Sequence, residues 1–409
     1  MRLRQQTIAL VLGIWCFWPH GAFGQLDPEK RRLVQFGYNQ PLEGKSPISG
    51  YGFFYYNQPH FAATNLTLRA AVAPIYLDTE LGFAGLLGAN TDVGLGLSGG
   101  GFADSYSEIR GGHYYQEESF TGHGGDASVS VYHRFNPQQT VPLYLIARAS
   151  GGLTHYERDD TTAPEFVLPA DRSAFHIRTG LRWGGEEPSL TEPLAMEVSL
   201  WEDSQFRSRA STYGYNNDRR VEGASHLFWA RALLKYTFPN EHLFEFSVTA
   251  GTSQNADRFS AYRLGGVLPF VAEFPLNLPG YYYQEISAER FVLFNGQYSF
   301  PLTPQKNLRL TLYGGAGRVN YLDGLEQPGD WHSGLGGGLS FISPRGTWMA
   351  TLIFAHGFNA VRHGDERGAN QIGLLLQWDL EAKSRGKSRF FTPGVNPYSS
   401  RAGERLFRD

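Results

Sequence analysis

Residues 226–253 read HLFWARALLKYTFPNEHLFEFSVTAGTS, and this stretch decides the fold. From Phe228 to Phe238 apolar side chains fill the even positions, while Arg231 and Lys235 occupy odd positions. After a short turn at 239–241 the pattern resumes, with Glu245 between two phenylalanines. Successive side chains of a β-strand point to opposite faces. The stretch therefore predicts two antiparallel strands that share one apolar face and one charged face.

The same alternation recurs along the chain in segments of about ten residues, close to the 9–11 residues that a strand needs to cross a membrane. We count sixteen such segments, and bacterial barrels use an even number of strands. The predicted strands are 32–39, 50–57, 64–73, 76–85, 92–103, 126–136, 142–155, 173–184, 193–206, 226–238, 242–253, 286–300, 307–318, 331–342, 346–358 and 370–379.

Short and long connections alternate between these segments. The short ones, such as 136–139 and 343–346, suit periplasmic turns, and the long polar ones, such as 104–125 and 254–285, suit extracellular loops. The connection 73–75 is an exception, because it should be extracellular yet is very short. The rhythm predicts an all-β fold, a sixteen-stranded antiparallel transmembrane β-barrel with a long sixth extracellular loop. A soluble β-sandwich would alternate in a similar way, but it rarely needs sixteen strands.

Charged residues fall on the face opposite the apolar one, and neighbouring segments carry opposite signs. Arg69, for example, is expected to face Asp78 and Glu80 on the next strand. A lipid-facing apolar band around a wet lumen with paired charges accounts for this pattern. The side chains predicted to line the lumen in the middle of the chain are Arg178, Arg182, Arg231, Lys235 and Glu245.

Composition and the N-terminus indicate an exported protein. The 409 residues include 49 Gly and 14% aromatics, which suits strands and tight turns, and the net charge of -3 gives no argument for nucleic acid. A basic start, an apolar run and Ala22-Phe23-Gly24 predict a cleaved signal peptide over 1–24. The single cysteine, Cys16, lies within it. We expect a barrel over 25–380 in the outer membrane of a Gram-negative-type bacterium, followed by a flexible periplasmic tail over 381–409.

The last predicted strand fits the pattern of outer-membrane targeting strands, which end in an aromatic residue. Its pattern residues are Gln371, Gly373, Leu376 and Trp378. We therefore expect two partners, outer-membrane lipid and the machinery that inserts barrels into that membrane.

The segment 261–302 lies between the eleventh and twelfth predicted strands. It contains Leu264-Gly265-Gly266, then Gly280-Tyr281, and it ends in Phe300-Pro301-Leu302. In this it resembles the BamA/TamA superfamily of outer-membrane assembly and translocation barrels (the bacterial surface antigen family). The resemblance implies sixteen strands and a sixth loop, here 261–285, that folds back into the lumen.

Two features depart from that family. Its loop carries an arginine before the Gly-Tyr element, held by acidic residues of the inner wall, where this chain has Pro279. Arg263 is the candidate to replace it. The family's periplasmic POTRA modules also have no room before the first strand, so we expect a barrel without them, to which a periplasmic partner could supply such a module.

No sequence motif indicates catalysis. The spacings of serine hydrolases, phosphate-binding loops and paired histidine ligands are missing, and residues such as His113, His123 and Asp126 suit solvated loops. We expect no enzyme activity, no cofactor and no metal. The leading hypothesis is a noncatalytic assembly or translocation barrel. A passive porin-like channel and a surface-exposed structural or adhesin barrel remain as alternatives.

Overall fold

Sixteen strands close into one antiparallel barrel in the computed structural model, which describes residues 29–47, 49–101, 104–185, 193–266, 276–362 and 366–385. Each strand pairs with its neighbours in the chain, and the first strand pairs with the last from Leu33 opposite Asp379 to Pro41 opposite Gln371. The predicted sixteen-stranded barrel is confirmed. No helix among the described residues is long and apolar enough to cross a membrane.

The barrel strands are numbered here in chain order. They are β1 (Arg31–Pro41), β2 (Ser49–Pro59), β3 (Leu66–Val72), β4 (Tyr76–Phe83), β5 (Thr91–Gly100), β6 (His113–Arg134), β7 (Leu143–Arg158), β8 (Arg172–Gly185), β9 (Leu194–Arg207), β10 (Ala224–Thr237), β11 (Leu243–Gln254), β12 (Ile286–Pro301), β13 (Leu308–Tyr321), β14 (Trp331–Ile342), β15 (Trp348–Val361) and β16 (Arg367–Asp379).

The sixth strand differs most from its prediction. It begins at His113 instead of residue 126, because the short strand Tyr106–Arg110 pairs with its first residues and forms a hairpin. Most of the predicted loop 104–125 is therefore strand. The connection at 73–75 is a tight turn between β3 and β4, as short as the sequence indicates. The Ala73 amide donates to the Tyr76 carbonyl at 2.8 Å.

Exposure alternates along the strands as the sequence predicts. On β10 and β11, Phe228 and Phe246 are exposed, whereas Arg231 and Glu245 are only 8% exposed. The charged side chains thus point into the barrel. Lys235 lies opposite Glu245 in the strand register.

Ion pairs connect neighbouring strands on the inner face. Arg69 binds Asp78 through two hydrogen bonds of 3.1 Å each, and Arg231 binds Glu197 at 3.0 and 2.9 Å. Arg178 donates from Nε to Asp203 at 2.7 Å, and Arg182 is 1% exposed. A lone buried charge is costly, so pairing lets the barrel keep these groups inside.

The two ends of the barrel differ. One end, here the long-loop end, carries the connections after the odd-numbered strands, including the short strands Tyr106–Arg110, Ser211–Tyr213, Arg219–Val221, Tyr262–Gly265 and Leu276–Asn277 and the 3₁₀ turn Tyr215–Asn217. The other, the short-turn end, carries the start of β1 and the end of β16.

At the short-turn end, Glu381 contacts Lys30 at 3.1 Å and Arg32 at 3.4 Å. A short helix, Ala382–Arg385, follows it. The first residue of the predicted tail therefore contacts the start of β1 and the residue before it. The predicted signal peptide 1–24 and residues 386–409 lie outside the described residues.

Candidate functional site

Of the predicted loop 261–285 the structure describes 261–266 and 276–285, and residues 267–275 lie outside the described residues. The two glycine-containing elements of this loop pack against each other. The Gly266 amide donates to the Tyr282 carbonyl at 2.8 Å, and the Leu278 amide donates to the Gly265 carbonyl at 2.6 Å. A Cβ at Gly266 would overlap the carbonyl oxygen of Tyr281. Only glycine permits this approach, so residues 264–266 pack directly on residues 278–282. We call residues 278–282 the loop-6 tip.

The loop-6 tip lies inside the barrel against β14–β16. The Gly280 amide donates to Gln371 Oε1 at 3.3 Å, and Gln371 Nε2 donates to the Tyr281 carbonyl at 2.9 Å. Tyr281, which is fully buried, places its hydroxyl 3.1 Å from His332 Nδ1. Gly280 has φ 84°, and a Cβ there would overlap the backbone nitrogen of Gly357. The tip therefore needs glycine both for its backbone conformation and for its contact with the wall.

An ion pair fixes the base of this tip. Arg362, directly after β15, donates from Nη1 and Nη2 to the two oxygens of Glu285, each at 3.0 Å. The arginine and glutamate side chains are 2% and 0% exposed. The Arg362 guanidinium also lies 3.7 Å from the ring centroid of Tyr282 and donates to the Gly280 carbonyl at 3.4 Å. One side chain of the wall thus holds three residues of the loop.

The surroundings shift the pKa values of these groups. Burial lowers the pKa of Arg362, but the Glu285 carboxylate and the nearby tyrosines oppose that effect, and the net pKa lies above its ordinary value. Burial raises the pKa of Tyr282 to about 12, although Arg362 opposes the shift. Arg362 therefore stays charged, and Tyr282 stays neutral, at physiological pH.

Arg263, Pro279 and Arg362 occupy different places relative to the loop. Arg263 donates from Nη2 to the Gln284 carbonyl at 2.9 Å, within its own loop, and to the Ser107 carbonyl at 3.4 Å. Pro279 packs its ring near Gly315 of β13. Arg362 could not be recognised from the sequence, because it follows the last alternating position of a strand and its partner lies 77 residues away.

A second layer covers the loop-6 tip at the long-loop end. The hairpin 106–118 reaches across the barrel, and a Cβ at Gly112 in its turn would overlap the carbonyl of Val361 at the end of β15. The Arg263–Ser107 contact joins this hairpin to the loop below it. We call the hairpin, together with the loops that pack on it, the cap.

Glu108 is the centre of the cap. Its side chain is 0% exposed and lies 3.2 Å from Arg110, 3.2 Å from Arg258 and 3.5 Å from Arg219. Arg219 and Arg110 also pair with Glu118. These arginines come from three different connections, β5–β6, β9–β10 and β11–β12, so one carboxylate links three loops.

Aromatic side chains fill the space around this charge network. Tyr106, Phe120 and Tyr213 form one buried cluster with Phe166, and Phe259, in the β11–β12 connection, packs against it. Polar atoms of the cap are desolvated by these rings, which strengthens the ion pairs. Burial also raises the pKa of Tyr213 well above its ordinary value.

The remaining candidates from the sequence are dispersed. His123 faces Glu157 at 3.2 Å, and Asp126 accepts a hydrogen bond from Ser98 at 2.9 Å. No group of three His, Cys, Asp or Glu residues within the described ranges is arranged to hold a metal ion. In the last strand, Gln371 and Gly373 face the lumen, whereas Leu376 and Trp378 face outward, where Trp378 contacts Phe36 with ring centroids 6.1 Å apart.

Solved structures share this fold. CdiB from Escherichia coli superposes with a TM-score of 0.57 at 13% identity, over 86% of this chain and 63% of that chain. CdiB from Acinetobacter baumannii gives 0.55 at 10% identity, over 86% and 60%. BamA from Haemophilus ducreyi lacking POTRA domains 1–3 gives 0.50 at 11% identity, over 85% and 70%.

The chain spans about 60% of the length of the CdiB chains that it matches. No protein-family model and no curated protein sequence matches it. At these identities the likeness is one of fold.

Proposed function

We propose that the chain is a noncatalytic integral barrel of the outer membrane that acts in the assembly or translocation of protein or lipid there. The observation that carries the proposal is the loop-6 tip, which is held inside the barrel by Arg362 and Gln371. This segment occupies part of the lumen beside β14–β16.

The fold shared with CdiB and BamA supports a place in the same superfamily, as do the Gly-Gly, Gly-Tyr and Phe-Pro-Leu elements in their expected order. The band of exposed apolar side chains on the outer face supports the membrane placement. In this proposal the long-loop end faces the outside of the cell. The short-turn end faces the periplasm, where a partner protein could dock.

Planar-bilayer recording tests the proposal. The intact protein is expected to conduct little, whereas a variant that lacks 261–285 is expected to show a large and steady conductance. Heat-modifiable migration on SDS gels establishes that both forms are folded barrels. A large conductance in the intact protein, unchanged by the deletion, would refute the plugged barrel.

A passive channel is the second candidate, and the inward charges favour it. Arg178, Arg182, Arg231, Lys235 and Glu245 would line a water-filled pore. Two of these arginines, however, are paired with Asp203 and Glu197, respectively. The same recording separates the candidates, since a channel conducts without removal of the loop.

A further inference from the structure

A patch of small residues interrupts the large side chains on the outer face of β5–β8. The outward-facing members of this patch are Gly99, Gly125, Ala127, Ala149 and Gly151. On the far side the corresponding positions hold large residues such as Phe246, Phe294, Leu335 and Leu352. The wall is therefore recessed where the small residues lie.

This recess is an apolar groove of about 890 Å³, with Leu97, Leu153, Phe175 and Phe206 along its sides. A second recess of about 650 Å³ shares Leu97, Gly151 and Phe175 with it and extends it toward the middle of the wall. Leu153 is 70% exposed and Leu97 is 63% exposed. The groove opens outward, onto the same surface as the exposed apolar band.

At the long-loop end the groove becomes polar. A recess of about 720 Å³ continues it and is lined by His123, His155, Asp171 and Arg209. His155 Nδ1 lies 2.7 Å from Asp171, and His123 Nε2 lies 3.2 Å from Glu157. Arg209 donates to the Asp171 carbonyl at 3.0 Å. The groove thus runs from an apolar middle to an end rich in hydrogen-bonding groups of both signs.

The wall beside the groove is low. β3 has 7 residues and β4 has 8, which at a tilt near 40° gives a height of only about 18–20 Å, against an apolar band of about 25 Å in such barrels. Ile75, in the connection between them, is 53% exposed, and Leu77 is 44% exposed. The short 73–75 connection therefore brings the rim down to the level of lipid chains.

We propose that this groove binds a lipid of the extracellular leaflet, with its acyl chains over Gly125 and Gly151 and its polar head group beside His155 and Arg209. The proposal rests on the membrane placement made under the proposed function. Three observations carry it: the groove continues the apolar outer band, its polarity changes in the direction of a lipid molecule, and the low rim lies next to it. A protein partner would not need that ordered change from apolar to polar.

Two outward glycines provide a matched pair of variants. A Cβ at Gly151 meets nothing within 4 Å, and a Cβ at Gly296 on β12 meets only Phe246 at 3.9 Å. Gly151→Leu fills the groove, while Gly296→Leu adds the same side chain to the far side of the barrel. Neither residue belongs to the loop-6 tip or the cap.

The probe is phosphatidylglycerol with a photoactivatable diazirine at the end of one acyl chain, added to the purified protein in detergent at a few molecules per barrel. After irradiation, adducts are mapped by mass spectrometry of peptides. In the unsubstituted protein they are expected to concentrate several-fold on peptides with Leu97, Leu153 and Phe175. Gly151→Leu should remove that enrichment, and Gly296→Leu should leave it unchanged.

Adducts spread evenly over the outer face, or enrichment that survives Gly151→Leu, would overturn the proposal. Membrane fractionation and heat-modifiable migration come first. If the protein does not fractionate with the outer membrane, the proposed function fails. If it does and the glycine variants behave alike, only the lipid groove fails.

Discussion

Replacement of Arg362 by methionine should release the loop-6 tip. The substitution keeps most of the side-chain volume but leaves the Glu285 carboxylate, 0% exposed, without its cation. Breaking a buried ion pair by removal of one partner costs about 3–5 kcal/mol. In the variant Glu285 still accepts hydrogen bonds from the Tyr282 amide at 2.7 Å and from Gln327 Nε2 at 3.4 Å. We therefore expect a cost at the lower end of that range, about 3 kcal/mol. This corresponds to roughly a 100-fold rise in the fraction of molecules whose loop-6 tip is undocked.

Chemical labelling of one cysteine can measure that fraction. Leu278 is 0% exposed, so a cysteine there should react with a maleimide only when the tip undocks. The parent protein carries Cys16→Ser and Leu278→Cys, and the rate of modification is compared with and without Arg362→Met. Heat-modifiable migration checks that each barrel is folded.

Two controls accompany this measurement. Arg318→Met removes an arginine from an ion pair with Asp330 whose side chains are 62% and 47% exposed, so labelling should change by no more than about fivefold. Adding Glu285→Gln to Arg362→Met removes the unpaired charge and should restore slow labelling to within about tenfold of the parent. Equal rates for Arg362→Met and Arg318→Met would refute the reasoning.

Three further outcomes follow from the cap, the tip and the short-turn end. Glu108→Gln leaves the arginines of the cap core without their shared carboxylate. Trypsin should then cut after Arg110 at least tenfold faster, while the barrel stays heat-modifiable. An unchanged cleavage rate would contradict the central role of Glu108. Gly280→Ala strains a backbone at φ 84° by about 1–2 kcal/mol and overlaps Gly357, so bilayer conductance should rise, whereas Gly296→Ala should leave it unchanged. Glu381→Gln removes pairs to Lys30 and Arg32, which are 44% and 42% exposed; urea unfolding should lose no more than about 1 kcal/mol, and a loss above about 3 kcal/mol would show that this contact matters more than its exposure implies.

The strands could be predicted because their signal is local. Alternation between Phe228 and Arg231, or between Phe246 and Glu245, reports which face each residue takes without knowledge of any distant contact. The start of β6 was not predictable in the same way. Residues 113–120 carry polar and aromatic side chains on both faces. They pair with residues 106–110 inside the cap, so neither face has to be apolar for contact with lipid.

Only part of the candidate site could be predicted from the sequence. Gly265, Gly266, Gly280 and Tyr281 meet because the glycines leave room for the facing carbonyls, which the family-like spacing anticipated. Arg362 and Glu285 carry no periodic signal, since their meeting depends on how far the loop folds back. Single charged residues at strand ends are common, and only the three-dimensional arrangement separates this pair from the others.

The pairing of β1 with β16 has a consequence for how the molecule forms. Gln35 and Gln377 hydrogen-bond at 3.0 Å across a separation of 342 residues, while nearly every other barrel contact joins strands that are adjacent in the chain. During folding, one edge of β1 therefore keeps unpaired amides and carbonyls until the final strand pairs with it, and such edges invite pairing with other chains. Ring closure over that separation is the slow step expected from contact order. The folding protein thus passes through an open sheet, and its yield in refolding should depend on how well that single edge is shielded.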